Sequence, residues 1–172
     1  MSMKTRAFFL SAIAGMSFGL VSCSSSKAGQ ATFPIGEKVL VGKLSYQVVD
    51  AQWLTDAPGL KQPAKNRVLQ LHVMITNTGA TEMFVPMLRL IDAGGNEIGE
   101  VSEIEGNPRW MGMIRRMQPA ISEEGYLYFD VPVGAYKLEV VDNSAPDNEK
   151  LALIEIPASL APPPTIPGAK GN

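Results

Sequence analysis

The chain has 172 residues, 45% of them hydrophobic and 19% charged, with a formal net charge of −2 and one cysteine. That length suits one domain with tails. The lone cysteine excludes an internal disulfide, and the mild acidic balance gives no electrostatic reason to expect nucleic acid or anionic lipid as a partner.

The first element in chain order is a basic start, Lys4 and Arg6, followed by an apolar run from Ala7 to Leu20 and then Val21-Ser22-Cys23. This order of charge, apolar segment and small residue is that of a secretory signal. The run of fourteen residues is too short for a membrane-spanning helix, which needs about 20. Leu20-Val21-Ser22-Cys23 resembles the lipobox of bacterial lipoproteins. The resemblance implies cleavage before Cys23, lipidation of that residue with palmitate-type chains, and a lipid anchor in the cell envelope. An ordinary cleaved signal peptide is the alternative. Ser24 stands where inner-membrane lipoproteins commonly carry Asp, which implies outer-membrane sorting in a cell with two membranes.

Loss of residues 1–22 removes Lys4 and Arg6 and no acid, leaving 13 basic residues against 17 acidic, a net charge of −4. Residues 23–32 are small and polar and predict a flexible tether. From Phe33 to Ile156 the apolar residues recur with period two. Val39, Val41, Leu44, Tyr46 and Val48 predict a strand pair or one bent strand, with Gly42 at the point of change. Arg67 to Thr76 predicts a half-buried strand, with Leu69, Leu71, Val73 and Ile75 on the core side and Gln70, His72 and Thr76 opposite, closed by a turn at Asn77-Thr78-Gly79. Met83 to Ile91 has strand composition interrupted by Pro86, which predicts an edge or bulge. Asp92 to Asn96 predicts a turn into Glu97 to Ile104, as a hairpin. Pro132-Val133-Gly134 predicts a second hairpin, between Tyr126–Val131 and Tyr136–Val141, and Leu151 to Ile156 a last strand. Residues 157–172 hold Pro162-Pro163-Pro164 and Pro167 and predict an extended or disordered tail.

About seven to nine short strands between Gly, Pro and Asn turns, with no amphipathic helix pattern, predict an all-β, antiparallel sandwich over residues 33–156. Leu60–Asn66 and Asn107–Met113 are its long connections, where function is usually carried.

Four signposts in order carry a family resemblance: Gly36-x-x-Val39-x-Val41-Gly42-x-Leu44-x-Tyr46-x-Val48, then Val73-x-Ile75-x-Asn77-Thr78-Gly79, Leu90-x-Asp92-x-x-Gly95-Asn96, and Gly125-x-Leu127-x-Phe129-Asp130-Val131-Pro132. They resemble the bacterial DUF4352 domain, itself similar to the immunoprotective extracellular proteins of mycobacteria. The resemblance covers about Phe33 to Val141 and implies an immunoglobulin-like β-sandwich in cell-envelope or secreted proteins. It brings no catalytic residues. At Met117-Gln118-Pro119-Ala120 the family usually places Gly after the proline, and Ala120 leaves the turn type there open.

Candidate chemistry is sparse. His72, the only histidine, has no second His or Cys at ligand spacing and predicts a solvent-facing or hydrogen-bonded strand residue. No nucleophile, base and acid set is recognisable, so no enzymatic activity and no cofactor are expected. Asp92, Asn96 and Glu97 are oxygen donors but lack the alternation of a calcium loop, and they read as turn chemistry. The unusual segment is Trp110-Met111-Gly112-Met113-Ile114-Arg115-Arg116-Met117. Three readings stay open for it. The methionines enter the core and Arg115 and Arg116 are solvated; or Trp110, Met111, Met113, Arg115 and Arg116 form a surface for an envelope protein or polymer; or Met111, Met113 and Met117, with His72, hold copper through soft thioethers.

Overall fold

A computed structural model describes residues 30–145 and 149–160. The expected signal peptide, Cys23, most of the tether and residues 161–172 of the tail lie outside them. The described residues contain eleven strands and no helix: β1 (Thr32–Pro34), β2 (Lys38–Val41), β3 (Leu44–Leu54), β4 (Arg67–Asn77), β5 (Met83–Val85), β6 (Arg89–Ile91), β7 (Glu97–Gly99), β8 (Arg115–Met117), β9 (Ser122–Val131), β10 (Tyr136–Asp142) and β11 (Lys150–Ile156).

They form a four-stranded sheet, β2-β3-β4-β9, facing a five-stranded sheet, β1-β11-β10-β6-β7, with β5 and β8 as a separate two-stranded ribbon. All pairings are antiparallel except β1 with β11, which run parallel. The main core is the space between the sheets. Leu69, Leu71 and Ile75 of β4 are fully excluded from solvent, as are Leu127 and Phe129 of β9 and Leu138 and Val140 of β10. Each such side chain contributes about 1.5–3 kcal/mol of burial. The period-two pattern thus marks the core face as expected, because successive side chains of a strand point to opposite sides.

The sheets are tied at one end. Gly42 sits at φ +60°, and a Cβ there would lie 2.0 Å from Asp142 Oδ2. That carboxylate accepts the Lys43 N–H at 2.7 Å, joining the β2–β3 turn to the end of β10. Burial works to raise the Asp142 pKa, but hydrogen bonds from Ser144 and the Lys43 N–H outweigh it and hold the carboxyl below its ordinary value. Gly42 is therefore a hairpin turn between two strands, which resolves the choice left by the sequence.

Four expectations need correction. Pro132-Val133-Gly134 does not close a hairpin: β9 pairs with β4 and β10 pairs with β11 and β6, so the segment crosses from one sheet to the other. A short turn between two strands is compatible with either arrangement, and partner choice is decided by packing. Pro86 does more than mark an edge, because the chain leaves the ribbon β5 there and enters the five-stranded sheet as β6. The strand expected from Glu97 to Ile104 ends at Gly99, which pairs with Arg89 at the open end of the β6–β7 hairpin. The assigned tether and tail are too long, since Thr32 already belongs to β1, and Ala158 O accepts the Trp53 Nε1–H at 3.2 Å while Leu160 packs on the core.

Candidate functional site

The long connection after β7 is shaped by a buried ion pair. Glu100 and Arg115 both lie in the interior, with side-chain exposures of 0% and 1%. Glu100 Oε1 accepts the Leu88 N–H and Arg115 Nη1–H, and Oε2 accepts Arg115 Nη2–H. The remaining guanidinium donors reach the carbonyls of Gly112 and Pro86, at 2.9 and 3.2 Å. A buried charge persists only when paired and hydrogen-bonded, as it is here. The expectation that Arg115 is solvated or faces a partner is therefore corrected: it is a structural clamp joining β8, the β5–β6 crossing and the residue after β7.

The preceding stretch is held against the edge of β9. Tyr126 N–H donates to Arg109 O at 2.7 Å and Met111 N–H to Tyr126 O at 3.2 Å, a parallel bridge centred on Trp110 and Tyr126. Gly125 makes this approach possible, because a Cβ there would lie 2.7 Å from Arg109 O and from Met111 Cγ. Trp110 is half-buried, packing with Ala57, Val68, Ile104 and Tyr128 in a second, smaller core on the outer face of the four-stranded sheet. This cluster explains why Val68 and also Gln70, the latter expected on the polar side of β4, are buried. Gln70 is satisfied by Gln52 and by Tyr128 Oη, which also accepts Asn107 Nδ2–H at 2.9 Å.

The members of the candidate copper set differ in burial. Met117 is fully buried in the main core and Met111 packs partly against it, whereas Met113 is 50% exposed. His72, on β4 opposite Tyr126, has Nδ1 3.0 Å from Asp50 Oδ2 and Nε2 2.6 Å from Glu124 Oε1, and its ring is 5.1 Å from that of Tyr126. It is a hydrogen-bonded strand residue. No group of three or more His, Cys, Asp or Glu among the described residues is arranged to hold a metal ion. Asp92 accepts the N–H groups of Gly94 and Asn96 and the Asn96 side-chain amide, each at 2.8 Å, which is turn chemistry. Glu97 pairs with Arg89 across the hairpin.

The ribbon and the residues leading into it present apolar side chains outward. Phe84 of β5 stands opposite Arg116 of β8, whose guanidinium carbon lies 5.1 Å from the ring centroid. Phe84 is 55% exposed and Ile114 is 77% exposed, beside the exposed Met113. Of the five residues singled out for a partner surface, Met113 and Arg116 belong to this patch, Trp110 and Met111 serve packing, and Arg115 is interior. Ile114 lies within the same run and its exposure was not legible. Phe84 is thirty-two residues from Arg116 in the chain, and only the pairing of two three-residue strands brings them together.

Residues 33–150 match the family described as Domain of unknown function (DUF4352). No curated protein sequence matches the chain. The fold is similar to that of the yjhA protein from Bacillus subtilis, with a TM-score of 0.56 at 18% identity over 71% of this chain and 98% of that one. MPT63, a secreted protein from Mycobacterium tuberculosis, gives 0.55 at 18% identity over 75% and 99% of the two chains. The candidate lipoprotein ycdA from Bacillus subtilis gives 0.57 at 17% identity over 70% of this chain and 38% of that longer one. At these identities the likeness concerns the fold, a β-sandwich. With the family match spanning well over half of its length, the chain belongs to the DUF4352 family.

Proposed function

We propose that this protein is a non-catalytic, lipid-anchored module of the cell envelope that binds a partner protein through the β5–β8 ribbon. The observation that carries the reading is the exposed apolar group Phe84, Met113 and Ile114 beside Arg116, on a ribbon fixed from beneath by the Glu100–Arg115 clamp. Apolar side chains gathered on a rigid support, with an arginine among them, have the composition of interface centres. The envelope location is supported by the signal and lipobox pattern ending at Cys23. It is supported also by a secreted protein and a candidate lipoprotein among the proteins of similar fold. The test is crosslinking in native membranes followed by capture, comparing wild type with Phe84→Ser/Ile114→Ser and with Leu40→Ser, a control on β2 that is 66% exposed. A crosslinked partner lost only in the ribbon variant is expected. Equal capture by all three proteins would overturn the assignment.

A further inference from the structure

Both exposed arginines of the 107–117 segment are stacked on aromatic rings. Arg116 lies over Phe84 at 5.1 Å and Arg109 over Tyr126 at 4.6 Å. Neither has a carboxylate partner among the described residues, although the chain is acidic overall and Arg115 between them is fully paired. Stacking occupies the face of a guanidinium and leaves its in-plane N–H donors unspent. It also fixes the plane, so little freedom is lost when a carboxylate engages. The ribbon has no third strand among the described residues, so it offers strand edges beside Phe84 and Arg116.

Resting on the reading of the ribbon as a partner surface, we propose that its partner is an extended polypeptide segment in which acidic and apolar residues alternate. The segment adds along the ribbon, its carboxylates meeting Arg116 and its apolar side chains covering Phe84, Met113 and Ile114. Backbone pairing supplies affinity in strand addition and alternate side chains supply selectivity. A lipid headgroup offers the anion without the backbone, so the unpaired ribbon favours a polypeptide.

The test uses the full chain in neutral detergent micelles, with methionine methyl groups labelled for NMR. Met113 reports on the ribbon, and the half-buried Met74 on β4 is the control. The probes are the blocked peptide Glu-Val-Glu-Leu-Glu-Val-Glu, its counterpart with Lys for Glu, and phosphatidylglycerol added to the micelles. The acidic peptide is expected to move the Met113 signal saturably and leave Met74 in place, with the lysine peptide inert. Arg116→Ala is expected to weaken binding about tenfold, the range of one charge-assisted hydrogen-bonded pair. Equal response to the lysine peptide, unchanged affinity in Arg116→Ala, or a Met113 shift with phosphatidylglycerol alone would overturn the proposal, the last in favour of a lipid surface. If the crosslinked partner is lost with Phe84→Ser/Ile114→Ser but kept with Arg116→Ala, the ribbon remains the interface and the acidic character of its partner is refuted.

Discussion

Ala120 has φ 60°, the left-handed conformation, and is the only non-glycine among the described residues to adopt it. The Ile121 N–H donates to Gln118 O at 3.2 Å, so Gln118 to Ile121 is a turn with Pro119 second and a positive φ third, the type II arrangement. The family's usual glycine and this alanine therefore serve the same turn, and the substitution costs strain without changing its type. A left-handed alanine costs about 1–2 kcal/mol, and glycine gives back part of that through a freer unfolded chain, by about 0.4–1 kcal/mol. Ala120→Gly is expected to stabilise the domain by about 0.5–1 kcal/mol in urea unfolding. A loss of stability would show that the turn is not strained. The departure was legible in the sequence; the conformation was not, because Pro119 at the second position suits type I and type II turns alike.

Among the elements, the ribbon depends on the Glu100–Arg115 clamp. The guanidinium side chain leaves β8 and the carboxylate reaches the backbone of Leu88 at the far side of the Pro86 crossing. Arg115→Met alone strands a buried carboxylate and is expected to cost about 3–5 kcal/mol in thermal or denaturant unfolding. Adding Glu100→Leu should recover at least half of that loss, because two apolar side chains of similar volume need no pairing. A double variant no better than the single one would mean that the backbone bonds, not the charges, hold the junction. This clamp is absent from any reading of the sequence for a physical reason. Burial of a charge depends on a partner fifteen residues away, and Arg115 and Arg116 are chemically identical neighbours that a short strand sends to opposite sides. β4 was legible because it repeats its apolar period over eleven residues; β3 was expected only as far as Val48, where its register shifts, and β9 only from Tyr126, while β5, β6, β7 and β8 have three residues each and no room for a period.

For the whole molecule, the anchor and the folded domain are separate matters. If Cys23 carries two or more acyl chains, attachment is stable and independent of the sandwich, since each buried methylene contributes about 0.8 kcal/mol. Cys23→Ala is expected to move the protein out of the membrane fraction or to block its processing, leaving the unfolding midpoint of the domain unchanged. Membrane retention with normal processing would refute lipidation. The sequence by itself determined the all-β class, the core strand β4, the second half of β9 and the family. Each of these is written in contiguous residues, as a period or a motif order. Only the tertiary structure decided which strands share a sheet, that the chain crosses between sheets at Pro86 and at Pro132-Val133-Gly134, that Trp110 closes a second core, and that Phe84 meets Arg116. These are pairings across distances that local patterns do not encode, and they are set by which apolar faces can be covered at once without leaving Glu100 or Arg115 unpaired.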